Sequence, residues 1–426
     1  MIIHVVKKGE TVYSIAQMYG VSAELILQNN EVEAENLVEG QTLVVLVPKI
    51  THTVQEGETL YSIANQYGIS AVNILQNNPV ITKNGLIYPN QTIVIEYEGE
   101  KRGTIVTNGY AYTYINKTAL IKALPYLSYL TIFTYGFTPS GELVYIDDDD
   151  IIRIALDYGV APVMLVSTLT SDGTFSNELA NIILNDPVAS DNLIDNIVEN
   201  MNQKGYRGLD IDFEYIRPED RQNYIDFVMR AEEKLNEYGY FVMTALAPKT
   251  SATQSGLLYE AHDYRGLGEV ADAVLIMTYE WGYTYGPPLP VAPIQNVRRV
   301  IEYAVTEMPN NKILLGIPFY GYDWTLPYVV GSKARSMGPV TAVSIARRTG
   351  SVIQFDEEAM SPYFEYTDNV TGNEHIVWFE DARSILAKVD VISDFDLLGT
   401  GIWNIMRYFP QGFLVINSLY RIYKQI

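Results

Sequence analysis

The 426-residue chain reads as an α/β protein, a closed (β/α)8 barrel with a small α+β insertion, preceded by two small βααβ modules. Three observations predict that arrangement. Residues 1–48 and 49–98 repeat one another. Residues 104–426 alternate eight apolar runs with stretches of helical spacing, which implies a parallel sheet, and eight units imply closure. The fourth apolar run carries three carboxylates spaced two apart, at the strand end where such barrels hold their chemistry.

The repeat is close. From His4 to Asn30 against His52 to Asn78, 18 of 27 positions are identical, so both copies should fold alike. Each reads strand, helix, helix, strand. In the first copy, 4–6 is a short strand, Gly9-Glu10-Thr11 turns the chain, and Thr11 is placed to cap a helix over 12–19. Gly20 stops that helix, Ser22 caps a second over 23–28, and 42–47 closes as a strand. The pattern resembles the LysM domain, a module that binds polymers containing N-acetylglucosamine. That resemblance implies sugar contacts at Gly9, Glu10, Thr11, Asn29 and Asn30, and at Gly57, Glu58, Thr59, Asn77 and Asn78 in the second copy. The same residues also suit plain turn and cap roles. Two weak sites in tandem would gain avidity on a repeating polymer.

Residues 99–103 are charged and glycine-bearing and read as a linker. The eight apolar runs that follow are 104–112, 129–134, 162–167, 208–213, 240–246, 271–277, 313–319 and 400–404. Helical spacing lies between most of them, as over 190–204, 217–238 and 292–307. The connection from 320 to 398 is too long for a simple crossover. It is expected to hold the α+β insertion, over 324–380, and to raise one wall of a cleft.

In the fourth run, Asp210, Asp212 and Glu214 fall on one face of a strand, and Leu209, Ile211 and Phe213 on the other. Three acids on a half-buried strand are costly unless they reach solvent or share protons. A solvated edge strand, a divalent-metal site and a general acid with helper carboxylates all fit these residues. In the last reading Glu214 is the proton donor, and like charges on Asp210 and Asp212 oppose its ionisation.

The run is similar to the D-x-x-D-x-D-x-E strand of family 18 glycoside hydrolases, the chitinase-like TIM barrels. The resemblance implies that Glu214 protonates the glycosidic oxygen and that Asp212 orients the substrate's own 2-acetamido group as nucleophile, with Asp210 tuning Asp212. Met277-Thr278-Tyr279-Glu280-Trp281 resembles the family's M-x-Y-D motif, with Glu for Asp. It implies that Tyr279 bonds the attacking acetamido oxygen and Glu280 a sugar hydroxyl. Trp403, on the eighth run, would floor the sugar site. Met277, Trp281, Tyr112 and Tyr135 are expected to line the cleft. Two departures stand out: Arg207 replaces the motif's first Asp, and Val166-Ser167-Thr168-Leu169 stands where many chitinases carry S-x-G-G. They fall on neighbouring strands and are expected to compensate each other.

Composition narrows the partners. A net charge of −22 and a pI near 4.6 disfavour nucleic acid and anionic membranes. An anionic polymer would then be held by hydrogen bonds and stacking rather than by a basic patch. There are no cysteines and four scattered histidines, so no thiolate or zinc site is expected, and the glycosidase reading requires no cofactor and assigns no metal ligand. No leader-like apolar segment opens the sequence, and no run of about 18 apolar residues would span a membrane. A monomer is expected. The combination of modules resembles the spore-associated N-acetylglucosaminidases of endospore-forming bacteria, which implies a retaining glycosidase acting on cortex peptidoglycan and located at the spore. The alternatives are a chitinase, a non-catalytic glycan-binding coat protein, and a metal-dependent deacetylase that a chelator would expose.

Overall fold

Strand alternation sets the two faces of the barrel. The parallel strands are Thr104–Tyr112, Tyr129–Phe137, Ala161–Ser167, Gly208–Asp212, Phe241–Leu246, Ala273–Ile276, Ile313–Pro318 and Gly399–Trp403. The eighth pairs with the first, Gly399 opposite Val106 and Ile402 opposite Gly109, so the sheet is closed. The structure is a computed structural model and describes residues 1–81, 85–170 and 173–424. Side chains such as Val106, Tyr110, Leu165, Met243, Leu275 and Leu314 pack inside the barrel. Their strand neighbours, among them Leu209, Ile211 and Phe213, pack outward against the helices. Closure is tight at Gly399, where a Cβ would stand 1.8 Å from the Val106 carbonyl oxygen, so only glycine fits.

Helices Pro187–Lys204, Arg221–Asn236 and Ile294–Glu307 form where helical spacing predicts them. The first starts on an Asp186 cap with Pro at its opening and ends on Gly205 in the left-handed region. Between the seventh and eighth strands the chain builds an antiparallel five-stranded sheet. Its order is Arg335–Met337, Gly321–Leu326, Glu374–Trp378, Ser361–Thr367, Gln354–Asp356, with helix Pro339–Thr349 beside it. Among the described residues no helix is long and apolar enough to cross a membrane.

The two N-terminal modules fold alike. Thr11 and Thr59 each close a capping box with Ser14 and Ser62, and Gly20 and Gly68 end the first helices at φ 68° and 67°. Both modules are fixed to the barrel. In the first, Thr42 and Gln411 exchange hydrogen bonds, Oγ1 to Oε1 at 2.8 Å and Nε2 to the Thr42 carbonyl at 2.6 Å. Its loop also joins the insertion: Val38 packs with Met337, Ile345 and Phe364, and Ile353 N–H donates to Glu39. In the second, Gln76 donates to the Pro125 carbonyl at 2.8 Å and Tyr126 donates back to Gln76 at 2.9 Å.

Candidate active site

Glu214 stands two residues past the fourth strand, at its C-terminal end. It shares a cleft of about 880 Å³ with Asp212, Tyr279, Glu280, Met277, Trp281, Tyr112 and Trp403. Asp210 lies below, fully buried, and accepts the Tyr110 hydroxyl at 2.7 Å. One carboxylate oxygen on each of Asp210 and Asp212 is buried with no protein partner. A buried acceptor without a donor is expensive, and protonation removes that cost. Burial accordingly pushes Asp210 up to about 7, against the pull of Tyr110. Burial, then repulsion from Glu214 and Asp210, holds Asp212 well above the usual carboxylate range.

Glu214 is also raised to about 7. Burial is the larger cause, and the like charge that follows is Glu280. The expected repulsion between Asp212 and Glu214 is present and is felt on Asp212, and Glu280, reaching across from the sixth strand, adds a like charge that the sequence did not point to. Glu280 adopts φ 68° and accepts hydroxyls from Tyr320 and, at 2.9 Å, from Tyr322. Tyr279 is buried against Gly316, where a Cβ would stand 2.8 Å from its ring. That glycine lets the phenol ring approach the seventh strand closely. Trp403 closes the floor, its ring centroid 5.1 Å from Phe133 and 5.7 Å from Tyr110.

The residues behind Glu214 hold its backbone. His262 bridges two strand ends: Nε2 donates to the Phe213 carbonyl at 3.0 Å and Nδ1 accepts from Ala247 N–H at 2.9 Å. Burial lowers its pKa to about 4, so the ring is neutral, as this pair of roles requires.

Tyr135 does not line the cleft. Its buried hydroxyl bonds Asp148, as do Tyr206 and Lys204. The second strand has a register irregularity between Ile132 and Tyr135. Phe133 still faces the barrel interior, and beyond it the alternation reverses, sending Tyr135 to the helix side. Arg207 and Ser167 do not compensate each other either. Arg207 N–H bonds the Pro162 carbonyl at the start of the strand pair, whereas Ser167 pairs with Asp212 at its end. Arg207 spends its guanidinium on the carbonyls of Gly205 and Tyr206.

The N-terminal modules also revise expectation. Asn30 and Asn78 are buried and stand in for a strand: each donates to two carbonyls and accepts a backbone N–H, from Val44 and Val94 respectively. Asn29 is buried on Tyr97, and Asn77 bonds the Ile95 carbonyl. Glu10 and Glu58 hold His4 and His52 at 2.8 Å. These side chains are already engaged, most within their own module, Asn29 across to Tyr97 of the second module and Asn30 also to Gln411 of the barrel. Gly9, Thr11, Gly57 and Thr59 remain on the surface. Tyr110, Tyr320, Tyr322 and His262 were missed; alternation along 104–112 puts Tyr110 on the same face as Tyr112 and was the available signal for it.

The family model for glycosyl hydrolases family 18 matches residues 106–407, and the LysM model matches 4–46 and 52–96. A cortical fragment-lytic enzyme of Bacillus subtilis (strain 168) is 44% identical over 436 residues, covering 100% of this chain and 99% of the relative. The crystal structure of the Bacillus megaterium QM B1551 spore cortex-lytic enzyme SleL matches with a TM-score of 0.85 at 36% identity, covering 100% of this chain and 99% of that one. A chitinase of Chromobacterium violaceum ATCC 12472 shares the fold, with a TM-score of 0.69 at 24% identity over 74% of this chain and 98% of its own. Two LysM domains therefore precede a glycosidase barrel, and the chain belongs to glycosyl hydrolases family 18.

Proposed function

We propose that this glycosidase cleaves N-acetylglucosaminyl bonds in spore-cortex peptidoglycan, with retention of configuration and the substrate's 2-acetamido group as nucleophile. The observation that carries the reading is the carboxylate ladder: two buried acids with unmet oxygens lead up to Glu214 in a cleft shared with Tyr279 and Trp403.

The sugar at the cleavage point stacks on Trp403. Glu214, with its pKa near 7, gives its proton to the glycosidic oxygen as the bond from that oxygen to C1 breaks. The acetamido carbonyl oxygen attacks C1 and forms a cyclic oxazolinium ion. Tyr279 donates a hydrogen bond to that oxygen and holds it in line. Asp212 accepts the acetamido N–H, and charge builds on it while Asp210 takes up the shared proton. Water then attacks C1, its proton passes to Glu214, and the acetamido bond to C1 breaks. The two displacements restore the starting configuration.

The LysM modules would keep the glycan near the cleft through the surface around Thr11 and Thr59. Cortex peptidoglycan is favoured as substrate, and the spore as location, by two relatives that match over nearly their whole length and are named for that activity. Mass spectrometry of cortex fragments, vegetative peptidoglycan and chitin oligomers after incubation tests the reading. New reducing-end N-acetylglucosamine on cortex fragments is expected. Cleavage of chitin oligomers alone would replace it with a chitinase, and no product from any glycan would leave a binding protein.

A further inference from the structure

The cleft continues past Trp403 into a second arm of about 380 Å³. Tyr112, Glu280 and Trp403 line both arms, so the two make one groove with the indole at the junction. The second arm is walled largely by aromatic rings, including Tyr114, Phe319 and Tyr322. Among its described lining residues the one acid is Glu280, already bonded by Tyr320 and Tyr322, and the one cation is Arg407.

Arg407 is held in place by neutral groups. Its stem runs along Gly338, where a Cβ would stand 3.1 Å from the Cβ and Cδ of Arg407. Its Nη1 donates to the Ser336 hydroxyl at 3.1 Å. Some arginines of this acidic chain, such as Arg102, Arg221 and Arg298, take a carboxylate, whereas Arg299, on the first arm, bonds the Asn296 amide oxygen. Arg407 pairs with no carboxylate among the described residues; burial is the largest influence against its charge, Tyr322 nearby favours the charge, and a second cation, Arg335, opposes it. A guanidinium presents a flat fork of donors that matches a carboxylate better than a hydroxyl or a carbonyl. Glycan would enter the arm over Trp403 with its next sugar beside this fork.

We propose that Arg407 binds a carboxylate on the 3-O-lactyl arm of the muramoyl residue that lies next to the N-acetylglucosamine seated on Trp403. The acid is either the lactyl group's own or that of the first amino acid attached to it. This rests on the peptidoglycan reading and deepens it. In peptidoglycan, muramoyl residues flank each internal N-acetylglucosamine, whereas chitin offers no acid at any position. Arg407 would therefore be the groove's discriminator between the two polymers.

The test uses the full chain and five tetrasaccharides: peptide-free muramoyl–N-acetylglucosamine with free lactyl acids, its methyl ester, the L-alanyl form with its own acid free, the same form esterified, and chitin tetramer as the neutral reference. Wild type should lose about tenfold in kcat/KM when the recognised acid is esterified, the size expected of a charge-assisted hydrogen bond. Arg407→Gln should abolish that discrimination, with the loss on the acid substrate carried in KM. Arg407→Lys should keep part of it, having the charge without the fork. Whether the lactyl or the alanyl ester is felt identifies the source of the acid. Equal rates for acid and ester in wild type, or full discrimination in Arg407→Gln, would overturn the proposal. If Arg407→Gln does not fold, the wild-type comparison and Arg407→Lys still decide it. If wild type cleaves none of the saccharides, the hydrolase reading fails by itself, and calorimetric binding of acid against ester still tests Arg407.

Discussion

Asp210→Asn should make the barrel less sensitive to alkali. In the unfolded chain this carboxyl titrates near its ordinary 3.8, and in the folded barrel burial raises it to about 7. A raised carboxyl gives its full share of stability below 3.8 and loses it as the pH climbs through 7. At about 1.4 kcal/mol per pH unit, the interval between those values corresponds to about 4 kcal/mol lost by pH 8. Proton sharing with Asp212 reduces that figure, and so does the unmet amide hydrogen that asparagine introduces. A net gain of about 2 kcal/mol for the variant at pH 8 is expected, falling to nothing or below near pH 4. Tyr110 keeps its acceptor in either case. Denaturant unfolding of both proteins at several pH values between 4 and 9 measures the gap directly. A gap that does not change with pH, or a variant that is weaker at pH 8 than at pH 4 relative to wild type, would refute the protonated-ladder argument.

Two further outcomes follow from the same geometry. Glu280→Gln keeps an acceptor for Tyr320 and Tyr322 but removes a like charge from beside Glu214. Glu214 must be protonated to act as the acid, so the alkaline limb of kcat/KM should move to lower pH, by about one unit or less because burial is the larger cause; a limb that stays put or moves up contradicts the assignment. Tyr135→Phe should leave kcat/KM within about twofold while lowering unfolding stability by about 1–2 kcal/mol, since only a donor to Asp148 is lost; a large loss of activity would return Tyr135 to the cleft.

Much of the fold was legible because it follows from short-range rules. The spacing of apolar residues marked all eight strands, and Thr11, Gly20 and Ser22 cap and stop helices as their side chains dictate. Alternation along the fourth strand put Asp210, Asp212 and Glu214 on one face, whereas Tyr279 and Trp403 were singled out by the resemblance of 277–281 and of the eighth run to family motifs. What escaped depends on contacts that are distant in sequence. Glu280 approaches Glu214 only after the barrel closes. Tyr135 turns outward at a register irregularity that no residue type announces. Asn30 and Asn78 look like loop residues until the strands they bond arrive from 14 and 16 positions away. The cation at Arg407 was hidden behind a net charge of −22, which describes the surface as a whole and not one arm of one groove.

Glu214→Gln is the most direct test of the central claim, that this carboxyl is the acid for acetamido-assisted cleavage. Gln fills the same space and cannot give a proton at neutral pH. The account predicts that cortex fragments incubated with the variant yield no new reducing-end N-acetylglucosamine by mass spectrometry, while the variant still binds them with an affinity within a few-fold of wild type. A variant that cleaves at near wild-type rate would contradict the account, because the proton would then come from elsewhere.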